Sequence, residues 1–195
     1  MKSLQTSLRI FLFFTILTGV IYPMIVTGVG QVLFHDKANG SILKKDGKAI
    51  GSLLIGQQFE PVKYFSSRPS ATNYQTLPSG ASNYGITNKK LFNLVTERKS
   101  QFLAVNQLDE QTIVPSEMLF ASGSGIDPHI SPKAALLQVD RIVKSRQFDY
   151  NQKQLLLQSI SELTQLPQFL ILGDQRINVL LLNLKLDEIN KNYKP

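Results

Sequence analysis

The sequence of 195 residues contains no cysteine and only two histidines. The absence of cysteine excludes a disulfide framework, a thiol nucleophile and a thiolate metal site. A metal site needs several His, Asp or Glu ligands that converge, and the two histidines, His35 and His129, lie far apart in the sequence. We therefore expect no metal ion, and we expect the chain alone to hold no cofactor.

Catalytic motifs are also missing. The sequence has no Walker A motif, no G-x-G-x-x-G after a strand and no G-x-S-x-G elbow. Ser122, Ser124, Asp127 and His129 supply the residue types of a hydrolase triad, but they lie within one loop, whereas known triads draw on distant segments. The sequence therefore predicts a protein that is not an enzyme.

A long stretch without charge dominates the start of the chain. Residues 10–34 carry no charged side chain, and Arg9 and His35 flank them. About 20 apolar residues suffice for a helix to cross a bilayer core. A cleaved signal peptide has a shorter apolar region and a small-residue cleavage site, which this stretch lacks. We predict a short basic flank at residues 1–9 and a single transmembrane helix at 10–34.

Four residues recur at every fourth position of this predicted helix. They are Thr15, Gly19, Pro23 and Thr27, which we call the anchor seam. Residues at this spacing share one side of a helix. Small side chains let two helices approach closely, and threonine hydroxyls can bond across the gap. The seam predicts contact with a partner helix, although Gly and Pro are also common in membrane helices generally. We further expect Pro23 to kink the helix.

The net charge of +7 does not indicate nucleic-acid binding. The lysines are scattered and form no dense run interleaved with aromatic residues. This pattern favours a solvated surface, or attraction to anionic membrane lipid beside the anchor. Basic residues lie on both sides of the apolar stretch, so charge alone does not determine the topology.

Residues 35–195 are predicted to form one domain of α+β or mixed α/β class. Turn-forming residues dominate two long loops, 65–88 and 121–130, which are too long to be idle connections. The predicted elements are a hairpin (41–45 and 48–55 around Asp46-Gly47), a helix at 88–106, a short strand at 118–120, a helix that begins at Ser131 and Pro132, a helix after the capping box at Asp149, and a strand at 177–186.

The helix that begins at Ser131 carries two polar residues of interest. Gln138 and Arg141 are spaced i, i+3, and we place them on its polar face. There they can bond a nucleotide, an acidic partner surface or a neighbouring loop. Asp140 and Lys144 are expected to form an i, i+4 pair on the same helix.

Four features in a fixed order resemble a known family. After the apolar anchor come Phe65-Ser-Ser-Arg-Pro-Ser-Ala71 and Ser79-Gly-Ala-Ser-Asn83, then Ser122-Gly-Ser-Gly-Ile-Asp-Pro-His-Ile-Ser-Pro132 with Gln138-Val-Asp-Arg141 and Arg146, and finally Gly173-Asp-Gln-Arg-Ile-Asn-Val-Leu180 with Leu182-Asn183. Over nearly its full length the chain resembles the C subunit of the bacterial potassium-transporting P-type ATPase, the KdpC family. One departure is Gln175, where the family often carries proline.

The resemblance implies a non-catalytic subunit of a complex that imports potassium with high affinity using ATP. The implied partners are a channel-like potassium-binding subunit, an ATP-hydrolysing subunit and a small single-helix subunit. The implied role is assembly and stabilisation, with a suggested second role as a catalytic chaperone that raises ATP affinity through Gln138 and Arg141. The motif residues expected to contact partners are Arg68, Pro69, Ser70, Ser79, Gly80, Asn83, Ser122, Gly123, Asp127, Pro128, His129 and Asn178.

The resemblance also implies a location in the bacterial cytoplasmic membrane, with the N-terminus in the cytoplasm and the domain on the outer face. An outer domain cannot touch cytoplasmic ATP, which favours a cap over the potassium entrance and a clamp on the channel-like subunit. Two other classes stay open. One is an anchored exported enzyme that uses Ser124 and His129, and the other is a tethered solute-binding or sensor domain.

Overall fold

A computed structural model describes residues 2–45 and 47–192. The chain divides into two compact units, Met1–Leu43 and Lys44–Pro195. The second unit combines helices with short two-stranded antiparallel pairing. The predicted fold class, a mixed helical and β domain tethered by one N-terminal helix, is confirmed.

The first unit is essentially one helix. Helix α1 (Lys2–Ile16), a π-helical turn (Leu17–Ile21) and helix α2 (Tyr22–Leu33) run on without interruption. A four-residue helix, α3 (His35–Ala38), follows. The 32-residue helix has a mean hydropathy of 2.2 in its most apolar window, and no residue of that window is buried. It is long and apolar enough to cross a membrane, as predicted for residues 10–34.

The π-helical turn lies where Pro23 was expected to disturb the helix. The Tyr22 N–H donates to the Leu17 carbonyl, five residues back, instead of to the carbonyl four residues back. Proline has no N–H and its ring crowds the preceding turn, so a locally wider turn accommodates it. The disturbance at Pro23 therefore takes the form of a π-turn that contains Gly19.

The described residues from Ile42 onward form a hairpin, five α-helices, a 3-10 turn and one further strand pair. Strands β1 (Ile42–Lys45) and β2 (Lys48–Ser52) form the predicted hairpin, and Gly47 takes a φ of +75° at its turn. Asp46, the other turn residue, lies outside the described residues. The helices are α4 (Lys89–Asn106), α5 (Pro132–Leu136), α6 (Val139–Arg146), α7 (Tyr150–Leu163) and α8 (Val179–Asn192).

Local capping signals set where these helices begin. The side chain of Asn88 accepts from the Lys90 N–H, and that of Ser131 accepts from the Ala134 N–H. Asp149 forms the predicted capping box with Gln152. The predicted helix starts are confirmed, although the helix from Ser131 is divided into α5 and α6.

The core lies where α5, α6, α7 and α8 meet the loop around residue 65. Strands β3 (His129–Ile130) and β4 (Ile177–Asn178) pair antiparallel, with His129 opposite Asn178, and so join the 121–130 loop to the start of α8. The apolar residues with no exposed surface are Phe65, Ala134, Ala135, Ile142, Leu156, Ile177, Leu182 and Leu186.

Three local predictions are wrong. Only Ile177–Asn178 of the predicted strand 177–186 is extended, and the rest belongs to α8. The predicted strand at 118–120 is instead the end of a 3-10 turn (Ser116–Met118), followed by Leu119 in a turn and Phe120 in a bend. Asp140 pairs with Lys153 at 2.7 Å and not with Lys144, because α6 and α7 pack side by side.

Candidate functional site

An irregular segment, residues 57–67, crosses the domain and is held by side chains instead of by a helix or sheet. We call it the 57–67 belt. Backbone polar groups must find partners when they are withdrawn from water. In the belt these partners are the side chain of Gln138 and side chains of α6 and α8, which lie far away in the sequence. The belt thus depends on specific polar residues for its position.

Arg141 of α6 holds the belt at three carbonyl groups. Its guanidinium donates to the carbonyls of Pro61, Val62 and Tyr64, the last two at 2.9 and 3.0 Å. Its Nε donates to Asn106 Oδ1 at 2.8 Å. The Arg141 side chain is buried, and burial lowers its pKa to about 10, which still leaves the group charged at neutral pH.

Gln138 is completely buried, one helical turn from Arg141. Its Oε1 accepts from the Ser66 N–H at 2.8 Å and from Arg141 Nη2 at 3.0 Å, and its Nε2 donates to the Ala134 carbonyl. The prediction that Gln138 and Arg141 lie on the polar face of the helix is wrong, because both side chains are buried. They bond the neighbouring loop, which was one of the options left open. Nucleotide binding by these two side chains stays a prediction, and it would require the belt bonds to break.

Helix α8 holds the belt from the other side. Asn183 accepts from the Phe65 N–H at 2.8 Å and donates to the Phe65 carbonyl at 3.0 Å. Arg146 of α6 donates to the Lys63 carbonyl and to Asp187 of α8, and its guanidinium carbon lies 4.5 Å from the centre of the Tyr64 ring. Cation–π and ion-pair contacts thus join α6, α8 and the belt.

A charged cluster lies where the two long loops meet. Arg68 Nη1 donates to Asp127 Oδ2 at 2.8 Å, and His129 Nδ1 lies 3.3 Å from Asp127 Oδ1, which also accepts from the His129 N–H. Burial alone would raise the pKa of Asp127. The hydrogen bonds from His129 and the Arg68 guanidinium outweigh burial and lower this pKa to about 2. Asp127 is therefore a carboxylate at any physiological pH.

Close backbone approaches fix the two loops against each other. The Gly80 N–H donates to the Ser124 carbonyl and so joins the two loops, while the Gly56 N–H, from the segment just before the belt, donates to the Ile126 carbonyl. Gly125 has a φ of +72°, and a Cβ there would lie 2.6 Å from the Gly80 carbonyl oxygen. Only glycine fits such a position without strain. The geometry of the charged cluster is thus set by rigid loops.

The charged cluster opens onto a cleft of about 700 Å³. Both signs of charge line it, and it also receives residues from the 173–176 segment. Its lining residues are Arg68, Ser116, Glu117, Phe120, Asp127, His129, Ile130, Asp174 and Arg176. We call it the charged cleft. Three of the sequence motifs thus contribute side chains to one surface feature.

The structure brings some of the predicted contact residues to the cleft and leaves others apart. Arg68, Asp127 and His129 line it, and Asn178 lies behind it, donating to the Leu53 carbonyl and pairing with His129 between strands. Of the remaining predicted contact residues, two are buried, Ser122 and Pro128, and three are exposed, Ser79, Asn83 and Gly123. Gly80 bonds Ser124 where the two loops meet. Pro69 and Ser70 line a second, separate hollow.

The serines of the possible hydrolase triad make other contacts. Ser122 Oγ lies 3.4 Å from Ser124 Oγ and accepts from the Asp127 N–H. His129 Nδ1 faces Asp127. Across residues 2–45 and 47–192, no group of three or more His, Asp or Glu side chains is placed to hold a metal ion.

Sequence reasoning missed several residues that hold the belt. Asn106, Asn183 and Asp187 were not selected as site residues, and Arg146 was noted only as part of a motif. The available signal was a polar residue at a core-facing position of a helix, since Asn183 lies one helical turn from both Val179 and Leu186, which are buried. Such a residue predicts a buried hydrogen-bond partner.

Comparison with known proteins supports the motif resemblance. A family model described as KdpC, K+-transporting ATPase, c chain, matches residues 4–188. A potassium-transporting ATPase KdpC subunit of Mycobacterium tuberculosis is 42% identical over 190 residues, which cover 96% of this chain and 99% of that protein. The KdpC subunit of Paraburkholderia phytofirmans is 45% identical over 183 residues (92% and 93%), and that of Caldanaerobacter subterraneus subsp. tengcongensis is 39% identical over 195 residues (99% and 99%). The chain therefore belongs to the KdpC family of potassium-transporting ATPase subunits, and the resemblance predicted from its motifs is confirmed.

Proposed function

We propose that this chain is the assembly and clamping subunit of an ATP-driven complex that imports potassium with high affinity. Its partners in this proposal are a channel-like subunit, an ATP-hydrolysing subunit and a small single-helix subunit. The complex consumes ATP and moves potassium, while this chain supplies contacts. The observation that carries the proposal is the division of polar residues between two places. Arg141 and Gln138 are buried as braces, whereas the charged cleft lies open at the surface.

The hydrogen bonds that Arg141 and Gln138 make to the belt argue against direct nucleotide contact. Arg141 already donates to five acceptors, and Gln138 uses both its oxygen and its amide within the chain. A triphosphate at these side chains would leave the belt carbonyls without donors, at a cost of about 1–3 kcal/mol for each buried group. In this proposal, any effect of the chain on the ATP affinity of the complex acts through assembly of the complex and not through contact with the nucleotide.

The proposal places the domain on the outer face of the cytoplasmic membrane, with the N-terminus inside. The chain has no native cysteine, so a single Ser79→Cys change gives a clean labelling site on an exposed part of the 65–88 loop. Ser3→Cys, exposed near the start of α1, is the matched control on the opposite side.

Intact cells would be treated with a membrane-impermeant maleimide. The proposal expects labelling at position 79 in intact cells and labelling at position 3 only after lysis. The reverse pattern would place the domain in the cytoplasm, where ATP is available, and would restore the chaperone hypothesis through Gln138 and Arg141.

We further propose that the anchor seam contacts a partner helix within the membrane. In an α-helix of 3.6 residues per turn, positions four apart drift steadily around the axis. The π-turn at Leu17–Ile21 uses more residues per turn, which counteracts this drift between Thr15 and Pro23. A seam that stays on one side of the helix is better suited to packing against a straight partner.

Bulky substitutions test the seam. Thr15→Leu with Gly19→Leu should reduce recovery of the complex from mild detergent, because larger side chains keep two helices apart. Gly28→Leu repeats the glycine substitution at a position outside the seam and serves as the control, since a Cβ at either Gly19 or Gly28 meets nothing within 4 Å in the chain itself. Equal recovery for both variants would remove the seam from the proposal.

A further inference from the structure

An apolar hairpin projects between α7 and β4. Residues 165–176, which we call the finger, are closed at the base by two backbone hydrogen bonds between Gln165 and Arg176, at 2.8 and 3.1 Å. Gln168 and Leu172 exchange a second pair, both at 2.9 Å. The Arg176 Nε also donates to Gln165 Oε1. The finger is thus a hydrogen-bonded structure with a defined tip.

The tip of the finger exposes apolar side chains to solvent. Phe169, Leu170 and Ile171 are 85%, 75% and 80% exposed, and Leu166 and Leu172 are 56% exposed. Residues 166–172 include no charged side chain. A contiguous apolar patch of this kind on a folded domain marks a surface that is covered in the working protein.

The backbone of the tip is held in an unusual conformation. Phe169 and Leu170 have φ values of 53° and 65°, a region that bulky residues rarely adopt. The N–H groups of Leu170 and Ile171 donate within the finger, to Pro167 and Gln168. The tip therefore presents its side chains outward without leaving these amides unpaired. Such pre-organisation lowers the ordering cost of binding.

The base of the finger separates two surface features. Asp174 and Arg176 line the charged cleft on one side. Leu166 and Gln175 line a hollow of about 510 Å³ on the other side, together with side chains of α5 and α7 that include Leu136 and Ile160. Leu136 is itself 51% exposed. The apolar tip is therefore continuous with an apolar hollow and borders a cleft of mixed charge.

We propose that the finger is a docking knob that inserts into an apolar pocket of a membrane subunit of the same ATPase, and that hydrogen-bonding and charged groups around that pocket meet the charged cleft. This inference rests on the proposed function. Protein interfaces typically combine an apolar centre with a polar rim, and the finger and cleft have this arrangement. Anionic lipid is a poorer occupant, because its headgroups could pair with the arginines of the cleft but not with Asp127 and Asp174, whereas a protein surface can match both signs of charge.

Photo-crosslinking identifies the occupant directly. A photoreactive benzoyl-phenylalanine at position 169 of the full chain would be activated in native membranes, and adducts would be identified by mass spectrometry. The inference expects an adduct with another subunit of the ATPase. Adducts with lipid alone, or no adduct, would overturn it. The same probe at Ile86, which is 97% exposed on the 65–88 loop, is the control for chance proximity.

Substitution of the tip tests its contribution to assembly. Phe169→Ser with Ile171→Ser is expected to lower recovery of partner subunits with this chain at least tenfold, whereas Ile86→Ser leaves recovery unchanged. If the wild-type chain co-purifies with partner subunits and the finger variant recovers them equally well, the inference is overturned. If the wild-type chain itself recovers no subunit, the proposed function fails instead. Should the finger variant be degraded, the crosslink at position 169 decides.

Discussion

Asn183 and Phe65 are joined by two hydrogen bonds although 118 residues separate them in the sequence. The Asn183 amide matches the N–H and the carbonyl of one buried residue at the same time, in the way that a neighbouring strand would. A side chain of α8 thus takes the place of a sheet partner for the 57–67 belt.

Asn183→Ala should destabilise the domain strongly. The substitution leaves the buried N–H and carbonyl of Phe65 without partners, and each such group costs about 1–3 kcal/mol. We expect a loss of about 2–5 kcal/mol in the free energy of unfolding, measured by urea denaturation of the full-length protein in detergent. Asn93→Ala removes an exposed asparagine of α4 and is the control. A loss below 1 kcal/mol at position 183 would contradict the belt interpretation.

Arg141→Lys keeps the charge but should fail to hold the belt. Lysine presents one compact ammonium group, whereas Arg141 reaches Asn106, Gln138 and three belt carbonyls with its planar fork. We expect a loss of at least about 3 kcal/mol, because several buried acceptors lose their donor. Faster proteolysis within residues 57–67 would report the freed belt, and Lys144→Arg on the same helix is the matched control. Equal protease resistance would show that the charge alone suffices.

Asp127 should make stability depend on pH in the acid range. Its pKa of about 2 in the folded chain lies below its usual value of 3.8, so its contribution is present above about pH 4 and is lost as the pH falls towards 2. With solvent screening at this part-exposed group, we expect a contribution of about 1 kcal/mol.

Asp127→Asn should therefore be less stable than the wild type at pH 7, and the difference should narrow between pH 4 and pH 2. Thermal melts across this range measure it, with Glu110→Gln, at an exposed position, as the control. A difference that does not change with pH would mean that the Arg68 and His129 contacts do not favour the charged form.

Two glycines of the same loop should differ strongly in their tolerance of alanine. Gly125→Ala places a Cβ 2.6 Å from the Gly80 carbonyl oxygen at a φ of +72°, whereas a Cβ at Gly123 meets nothing within 4 Å. We expect Gly125→Ala to cost about 1–3 kcal/mol and to disturb the charged cleft, while Gly123→Ala changes stability by less than about 0.5 kcal/mol. Denaturant midpoints of the two variants give the comparison. Similar midpoints would mean that the loop contact yields easily.

Helix starts were predictable because capping is local. Asn88, Ser131 and Asp149 each bond an N–H two or three residues ahead, so the signal lies within a few residues of sequence. The error at 177–186 has a local cause too. The alternation of leucines suggested a strand, but the buried residues Val179, Leu182, Leu186 and Ile189 follow helical spacing. The side chain of Asn178 caps this helix by accepting from the Leu181 N–H, a signal that was overlooked.

The burial of Gln138 and Arg141 could not be predicted from hydrophobic periodicity. An amphipathic pattern assigns Gln138 and Arg141 to water, since most polar residues on helices are exposed. Both are buried because an irregular segment far away in the sequence needs donors and acceptors there. The charged cleft was partly predictable, because Arg68, Asp127 and His129 were selected from motifs. Their convergence depends on the contact of two loops, which no local pattern encodes.

The long sequence separation between Phe65 and Asn183 has a consequence for biosynthesis. At about 5–20 residues per second, the ribosome needs roughly 6–24 s to add the 118 residues from Phe65 to Asn183. Throughout that interval the segment just beyond the anchor lacks the side chain that will hold it. The incomplete, anchored chain must therefore avoid aggregation while Phe65 is still exposed. Chaperones and proteases have access to this segment throughout that time.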